Sequence, residues 1–243
     1  MPAQTPPPIR IVLTETTHPG NIGAAARAMK VMELSELYLV NPKNFPSVEA
    51  TARASSAADL LADAVVVDSL PEALTDCVAV YGASARLRSN RWPILTAREA
   101  APEMIRESAH GPVACVFGPE QSGLSNKDLG YCQSLVHIPV NPEYGSLNLA
   151  ASVQIIAYEL HSVADPEIPT SRLKPGEGPA TSAEVEQMFQ HLEATLTRIG
   201  FLNPQNPGHL MARLRRLFNR ARLSAVETRI LRGILSAVDK RCG

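Results

Sequence analysis

The stretch Ile9-Arg10-Ile11-Val12-Leu13-Thr14-Glu15-Thr16-Thr17-His18-Pro19-Gly20-Asn21-Ile22-Gly23-Ala24-Ala25-Ala26-Arg27 changes character halfway along. Its first five residues form a β-branched run of strand type, and the alanine-rich segment after Asn21 has helical composition. A strand that passes through a short polar loop into a helix is the repeating unit of α/β folds. Outward from this stretch the alternation continues to the middle of the chain. Strands are expected at Leu37 to Val40, Ala64 to Val67, Val78 to Tyr81, Val113 to Phe117 and Leu135 to Ile138. Most are too continuously apolar to have a wet face, so they read as a buried parallel sheet. Helix starts are marked by capping boxes, in which a hydroxyl accepts from an early amide and a Glu reaches back. Ser69 with Glu72 and Thr96 with Glu99 fit this pattern, each contributing about 1 kcal/mol.

The pattern changes after Leu160. Asp165 to Pro179 is rich in proline and glycine among weakly patterned polar residues, the composition of a linker. Beyond it only helices are legible. Thr181 and Glu184 form another box, followed by Val185, Met188, Phe189, Leu192, Leu196 and Ile199, with Gly200 as a C-terminal stop. A second helix carries Leu210, Leu214, Leu217 and Phe218 on one face. The last, opened by Ser224 and Glu227, is expected to turn Ile230, Ile234, Leu235 and Val238 inward. The organisation expected is an α/β domain over residues 1–165, a linker over 166–180 and a small bundle of three helices over 181–243.

With 243 residues, 45% hydrophobic and 19% charged, the chain can bury one large core and one small one. No run approaches the roughly 18 apolar residues of a membrane helix, and Met1 to Pro8 lacks the plan of a signal peptide, so a cytoplasmic protein without membrane contact is expected. Cys77, Cys115, Cys132 and Cys242 show no metal or redox spacing and read as reduced thiols. The six histidines are scattered without i, i+4 pairs, so no metal site is expected. There is no phosphate-binding G-x-x-x-x-G-K-[ST], no G-x-G-x-x-G after the first strand and no G-x-S-x-G, which removes support from ATPase, ordinary dinucleotide-binding and hydrolase readings. The net charge of −1 hides an asymmetry: residues 1–165 hold 11 Lys/Arg against 17 Asp/Glu, and residues 166–243 hold 12 against 7. A basic tail of this kind fits a polyanionic partner or a solvated helix face, and charge alone leaves both open.

Three loops follow expected strands, where α/β sheets place their ligands. The first is His18 to Arg27. Its glycines let backbone approach a ligand, Asn21 can cap the helix, and Arg27 rises from a helix of alanines with an unobstructed guanidinium suited to a phosphate. A plain N-cap and a solvated charge would read the same. The second, Phe117-Gly118-Pro119-Glu120-Gln121-Ser122-Gly123-Leu124-Ser125-Asn126, brackets a carboxylate with glycines, and Ser125 or Asn126 can open the next helix. The third, Ile138 to Ala150, places Ser146 and Asn148 at a helix entrance where unpaired amides point outward.

Together the loops resemble the three motifs of the SpoU branch of the SPOUT RNA methyltransferases. Asn21-x-Gly23-Ala24-x-x-Arg27 is similar to motif one, Gly118-x-Glu120-x-x-Gly123-Leu124-Ser125 to motif two, and Ile138-Pro139 through Ser146-Leu147-Asn148-Leu149-Ala150 to motif three. The resemblance covers residues 9–165, and the appended helices are similar to those of tRNA-modifying members of the branch. It implies an α/β fold with a mostly parallel sheet tied in a trefoil knot, a homodimer, and transfer of a methyl group from S-adenosylmethionine to a ribose 2′-hydroxyl of tRNA, at nucleotide 32. It implies cofactor contacts from Ala83, Ser84, Ala85, Gly118, Ile138, Gly145, Ser146 and Leu147. It further implies catalytic roles for Arg27, Asn21, Glu120, Ser146 and Arg88, and RNA contacts from Arg86, Arg88, Arg91, Arg213, Arg216 and Arg220. A guanidinium has an ordinary pKa above about 12, so Arg27 is expected to grip phosphate and stabilise charge on oxygen rather than act as a base. A ribosomal RNA methyltransferase would keep the same motifs, and a non-catalytic knotted RNA-binding protein is the other alternative.

Overall fold

The computed structural model describes residues 8–85, 92–143, 145, 147–163, 178–203, 205 and 208–242. Strand and helix alternate as β1 (Ile9–Thr14), α1 (Pro19–Val31), β2 (Glu36–Val40), α2 (Val48–Ala54), α3 (Ala58–Ala62), β3 (Val65–Val67), α4 (Leu70–Ala73), β4 (Ala79–Ala83), β5 (Ile94–Thr96), α5 (Ala97–Ser108), β6 (Val113–Phe117), α6 (Asn126–Leu129), β7 (Ser134–His137) and α7 (Leu149–Val163). Three helices follow: α8 (Ser182–Arg198), α9 (Leu210–Ala221) and α10 (Ala225–Cys242). The seven strands form one sheet in the order β3-β2-β1-β6-β4-β7-β5, and every pairing is parallel.

Period-two alternation divides the core between the two faces of this sheet. Ile9, Ile11 and Leu13 of β1, with Tyr81, Cys115 and Phe117, join the cluster that includes residues of α1, α5 and α7. Val12, Val80, Ala114 and Val116 join the opposite cluster with Leu70, Leu74 and Leu129. Arg10 breaks the apolar pattern: it is 4% exposed, and its guanidinium donates to Asp76 Oδ1 at 2.8 Å and to the Ala73 carbonyl at 2.6 Å. Its Nε faces Glu36 at 3.3 Å, and the group lies 3.9 Å from the centroid of the Tyr38 ring. Opposed by burial, these contacts still hold Arg10 above its ordinary pKa and Asp76 below its own.

Several local expectations need correction. β5 has no counterpart in the sequence reading, because three residues after Pro93 are too few to show a period. The box at Ser69 does not form; Glu72 reaches past it to the Asp68 amide at 3.1 Å. Those at Thr96, Thr181 and Ser224 do form, and Ser125 with Asp128 makes another. Asn21 is not a cap, since α1 begins at Pro19 behind His18. Gly23 of the first loop serves helix packing: a Cβ there would lie 2.0 Å from the Ala50 carbonyl oxygen of α2.

The C-terminal helices also depart from a closed bundle. α8 lies along α10, while α9 bridges α8 and the sheet domain. Ile230 and Ile234, expected inward, are 56% and 55% exposed, because nothing among the described residues covers that side of α10; Leu235 is buried as expected, and Thr228 is buried beside it on α10. Cys77, Cys115 and Cys132 are buried free thiols and Cys242 is exposed. Among the described residues no helix is long and apolar enough to cross a membrane.

The two glycines of α1 give opposite predictions for the same substitution. Gly23→Ala drives a methyl into backbone that cannot yield and is expected to cost about 2–4 kcal/mol, the range of severe overpacking. Gly20→Ala meets only the mobile carboxylate of Glu49, 2.7 Å from the ideal Cβ, and is expected to cost less than about 1 kcal/mol. Urea unfolding of the two variants checks the order, and equal losses would remove the α1–α2 contact as the reason for Gly23.

Candidate active site

At the carboxyl ends of β4, β6 and β7 three loops close around a pocket of about 410 Å³. That is the size range of small-molecule and cofactor sites. β4 delivers Ala83, Ser84 and Ala85; β6 delivers Phe117 to Leu124; β7 delivers Val136, Ile138 and Val140, which share one side of the chain at period two. Gly145, Leu147, Leu149 and Ser152 complete the wall. The β4 and β7 lips are tied together, since the Ser84 amide donates to the Val136 carbonyl at 2.9 Å.

The β6 loop folds on itself. Gly123 takes φ of +65° and its amide donates to the Pro119 carbonyl at 2.8 Å. This brings residues 123 and 124 over Gly118, where a Cβ would sit 2.2 Å from the Gly123 carbonyl carbon and the Leu124 nitrogen. The loop therefore requires glycine at 118 for its own path, besides any contact Gly118 makes with a ligand.

Glu120 fastens this loop to the start of α1. Its Oε2 accepts from the Thr17 amide at 3.1 Å and the Thr17 hydroxyl at 2.9 Å. Its Oε1 accepts from the His18 amide at 3.3 Å and Asn21 Nδ2 at 2.8 Å. Partial burial works against the charge, but hydrogen bonds from Asn21, its own amide and Thr17 outweigh it and hold the carboxyl at about 2. Asn21 Oδ1 in turn accepts from Asn148 Nδ2 at 2.9 Å, and Asn148 Oδ1 caps α7 by accepting from the amides of Ala150 and Ala151. One chain of side-chain bonds thus joins all three motif loops.

Of the residues picked from sequence, Ala83, Ser84, Ala85, Gly118, Glu120, Ile138, Gly145 and Leu147 line the pocket, and Asn21 is bonded to its wall. Arg27 is exposed on α1 and is not among the lining residues. Six residues, or about 9 Å of helix rise, separate it from Asn21. Ser146, Arg86, Arg88 and Arg91 lie outside the described residues. Arg213 and Arg220 are exposed on α9, while Arg216 sits with its guanidinium 5.9 Å from the centroid of Trp92. Two further arginines of the C-terminal helices are occupied inside the protein: Arg215 pairs with Glu186, and Arg222 with Glu103 and Glu107. The sequence reading missed the apolar wall from Val136, Val140 and Leu149, although the period-two spacing of 136, 138 and 140 was a usable signal.

Residues 8–158 match the SpoU rRNA methylase family, and residues 183–243 match the C-terminal domain of the tRNA methyltransferase TrmJ. The chain is 50% identical over 242 residues to the tRNA (cytidine/uridine/adenosine-2′-O-)-methyltransferase TrmJ of Pseudomonas aeruginosa, covering 96% of this chain and 94% of that one. It is 50% identical over 233 residues to the tRNA (cytidine/uridine-2′-O-)-methyltransferase TrmJ of Pectobacterium atrosepticum, with 96% and 97% covered. The crystal structure of TrmJ from Z. mobilis ZM4 superposes with a TM-score of 0.83 at 35% identity, over 95% of this chain and 98% of that one.

The Glu120 network fixes a pH dependence and its sign. A carboxyl lowered from 4.5 to about 2 on folding stabilises the fold above about pH 4.5, and that share disappears as pH falls toward about 2. Glu120→Gln is expected to flatten this part of the acid-unfolding curve and to lower stability at neutral pH. Asn21→Asp is expected to lose about 1–3 kcal/mol at neutral pH, more than Asn21→Ala, because it sets a second carboxylate against Glu120 and removes the donor. Urea midpoints measured from neutral pH down to about pH 3 check both; an unchanged acid limb in Glu120→Gln would show that the network carries no stability.

Proposed function

The chain belongs to the SpoU rRNA methylase family, with a TrmJ-type C-terminal domain in its last three helices, and from that premise we propose that it is an S-adenosylmethionine-dependent tRNA ribose 2′-O-methyltransferase acting on cytidine or uridine at nucleotide 32. The observation that carries this reading is the three-loop pocket held together by Glu120, Asn21 and Asn148.

The lining fits an adenosyl group attached to a charged amino acid. Leu124, Val136, Ile138, Val140, Leu147 and Leu149 offer an apolar slot, and the turns at Ser84 and Gly118 bring backbone groups to its rim. The cofactor, when bound, supplies a sulfonium methyl group. Positioning the ribose against it can lower the barrier by several kcal/mol. Glu120 is wholly an acceptor and too weak a base to take the hydroxyl proton; its role is to fix the α1 entrance. Arg27, exposed and clear of the pocket lining, is assigned to RNA phosphate and to the developing charge on oxygen. Ser146 and Arg88 are assigned to the catalytic group, and Arg86 and Arg91 to RNA contacts, on the family resemblance alone, since all four lie outside the described residues.

A homodimer accompanies this proposal. Its support is that two large apolar side chains on the packed pair α1 and α7 stay exposed, Val31 at 62%, one helical turn from Arg27, and Tyr158 at 54%. We take α7, which packs on α1 and α5, as the helix that threads the trefoil knot. The boundaries 1–165, 166–180 and 181–243 are adopted for the sheet domain, linker and RNA-docking helices. A ribosomal RNA substrate is disfavoured by the C-terminal domain match, which a tRNA enzyme explains.

Incubating the purified protein with unmodified tRNA and labelled S-adenosylmethionine, then mapping ribose methylation, tests the proposal. Methylation at nucleotide 32 is expected; label in ribosomal RNA alone, or none in any RNA, would overturn it. Arg27→Ala is expected to reduce kcat by roughly 100-fold while changing cofactor affinity by less than about threefold, and Arg27→Lys to recover little of the loss, since a point charge does not reproduce the planar fork. Calorimetry beside single-turnover rates checks the split, and parallel loss of both would put Arg27 in the cofactor pocket.

A further inference from the structure

Arg222 occupies a position that glycine normally fills. It is the C-cap of α9 with φ 51° and ψ 60°, in the left-handed region that L side chains rarely adopt. Its side chain accounts for its presence there. Nη2 donates to Glu103 Oε2 at 2.9 Å, to Ser134 Oγ at 3.3 Å and to the Tyr81 hydroxyl at 3.4 Å, and Nη1 donates to Glu107 Oε1 at 3.1 Å. Tyr81 and Ser134 are register partners on the adjacent strands β4 and β7. Those two strands end in the Ala83–Ala85 and Ile138 walls of the pocket. Around Arg222 the same face carries Asn219, whose Nδ2 donates to the Gly130 carbonyl at 2.7 Å, and the amides of Ser182 and Ala183, which donate to the carbonyls of Cys77 and Thr75. Arg216 lies over Trp92, the one tryptophan of the chain.

We propose that the C-terminal helices are a docked ruler rather than a tethered module, with Arg222 as the positioning residue that sets the distance from the exposed arginines of α9 to the pocket and so selects which ribose is methylated. This rests on the tRNA methyltransferase reading above. A module free on its linker would bring many nucleotides of a folded RNA to the pocket, because a flexible tether permits a range of spans. A module locked to β4 and β7 permits one. Arg222→Lys does not rescue the lock, since an ammonium cannot reach two carboxylates, a phenol and a hydroxyl with a planar fork.

The test uses the full-length protein with Arg222→Ala and, from the opposite side of the contact, the double variant E103Q/E107Q. Trp92 emission and its quenching by acrylamide report docking without RNA or cofactor, and positional mapping of methylated tRNA reports selection. Both variants are expected to raise acrylamide quenching of Trp92 at least twofold, to hold cofactor affinity within about threefold, and to spread methylation from one ribose to its neighbours with an increase in KM. Unchanged Trp92 quenching in both variants overturns the lock. Raised quenching with methylation still confined to one ribose overturns the ruler. If the wild-type chain methylates no tRNA, the proposed function fails, and the Trp92 measurement still decides whether Arg222 holds the module in place.

Discussion

An ionised carboxylate can only accept hydrogen bonds, and Glu120 turns that one-way chemistry into the organising constraint of the site. Every group around it has to be a donor: two consecutive amides, a hydroxyl and a carboxamide. That requirement fixes which way the Asn21 amide faces, with nitrogen toward Glu120 and oxygen toward Asn148. Asn148 is then obliged to offer its nitrogen to Asn21, which leaves its oxygen for the amides that open α7. One charge thereby sets the donor sense of a chain that crosses from β6 to α1 to α7.

The same economy of charge governs the far side of the molecule. The opposite net charges of the two halves suggested a polyanionic partner, yet part of that charge is satisfied internally. Arg215 meets Glu186, Arg198 meets Asp239, and Arg222 meets two glutamates of α5. Burial pushes the Tyr81 phenol up to about 12, so it stays protonated and accepts from Arg222 while donating toward Glu103 at 3.5 Å. Of these pairs only that of Arg222 draws on the acidic excess of the sheet domain, and the arginines left exposed, such as Arg213 and Arg220, form a smaller set than the count implies.

Where residues act locally, they were legible. Six of the seven strands followed from apolar runs, and most capping boxes from their four-residue spacing, because both depend on neighbours in sequence. The pocket loops were legible for the same reason: turns need glycine and helix entrances need polar side chains. What depends on distant partners was not. Nothing near Gly23 in sequence says that Ala50 lies against it, and nothing near Arg10 announces Asp76. Ile230 and Ile234 illustrate the reverse error, in which a correct helical period was assigned a neighbour that packs elsewhere. In the sequence Arg222 is only one of the twelve basic residues after position 165, since its left-handed backbone and four partners exist only in the fold.

The strand order has a temporal side. β6 lies between β1 and β4, and β7 between β4 and β5, so two interior strands are synthesised after the strands that flank them. Until residue 117 has left the ribosome, β1 and β4 have no shared neighbour, and β5 has no partner before residue 137. The 37 positions between Thr96 and Ser134 take roughly 2–7 s to translate at ordinary rates. β4 lacks a partner until residue 117 emerges and β5 lacks one through the whole interval, so the growing chain carries open strand edges at a stage when more than a third of its residues already exist. The parallel sheet that builds the pocket is, for those seconds, the part of the protein most exposed to wrong partners.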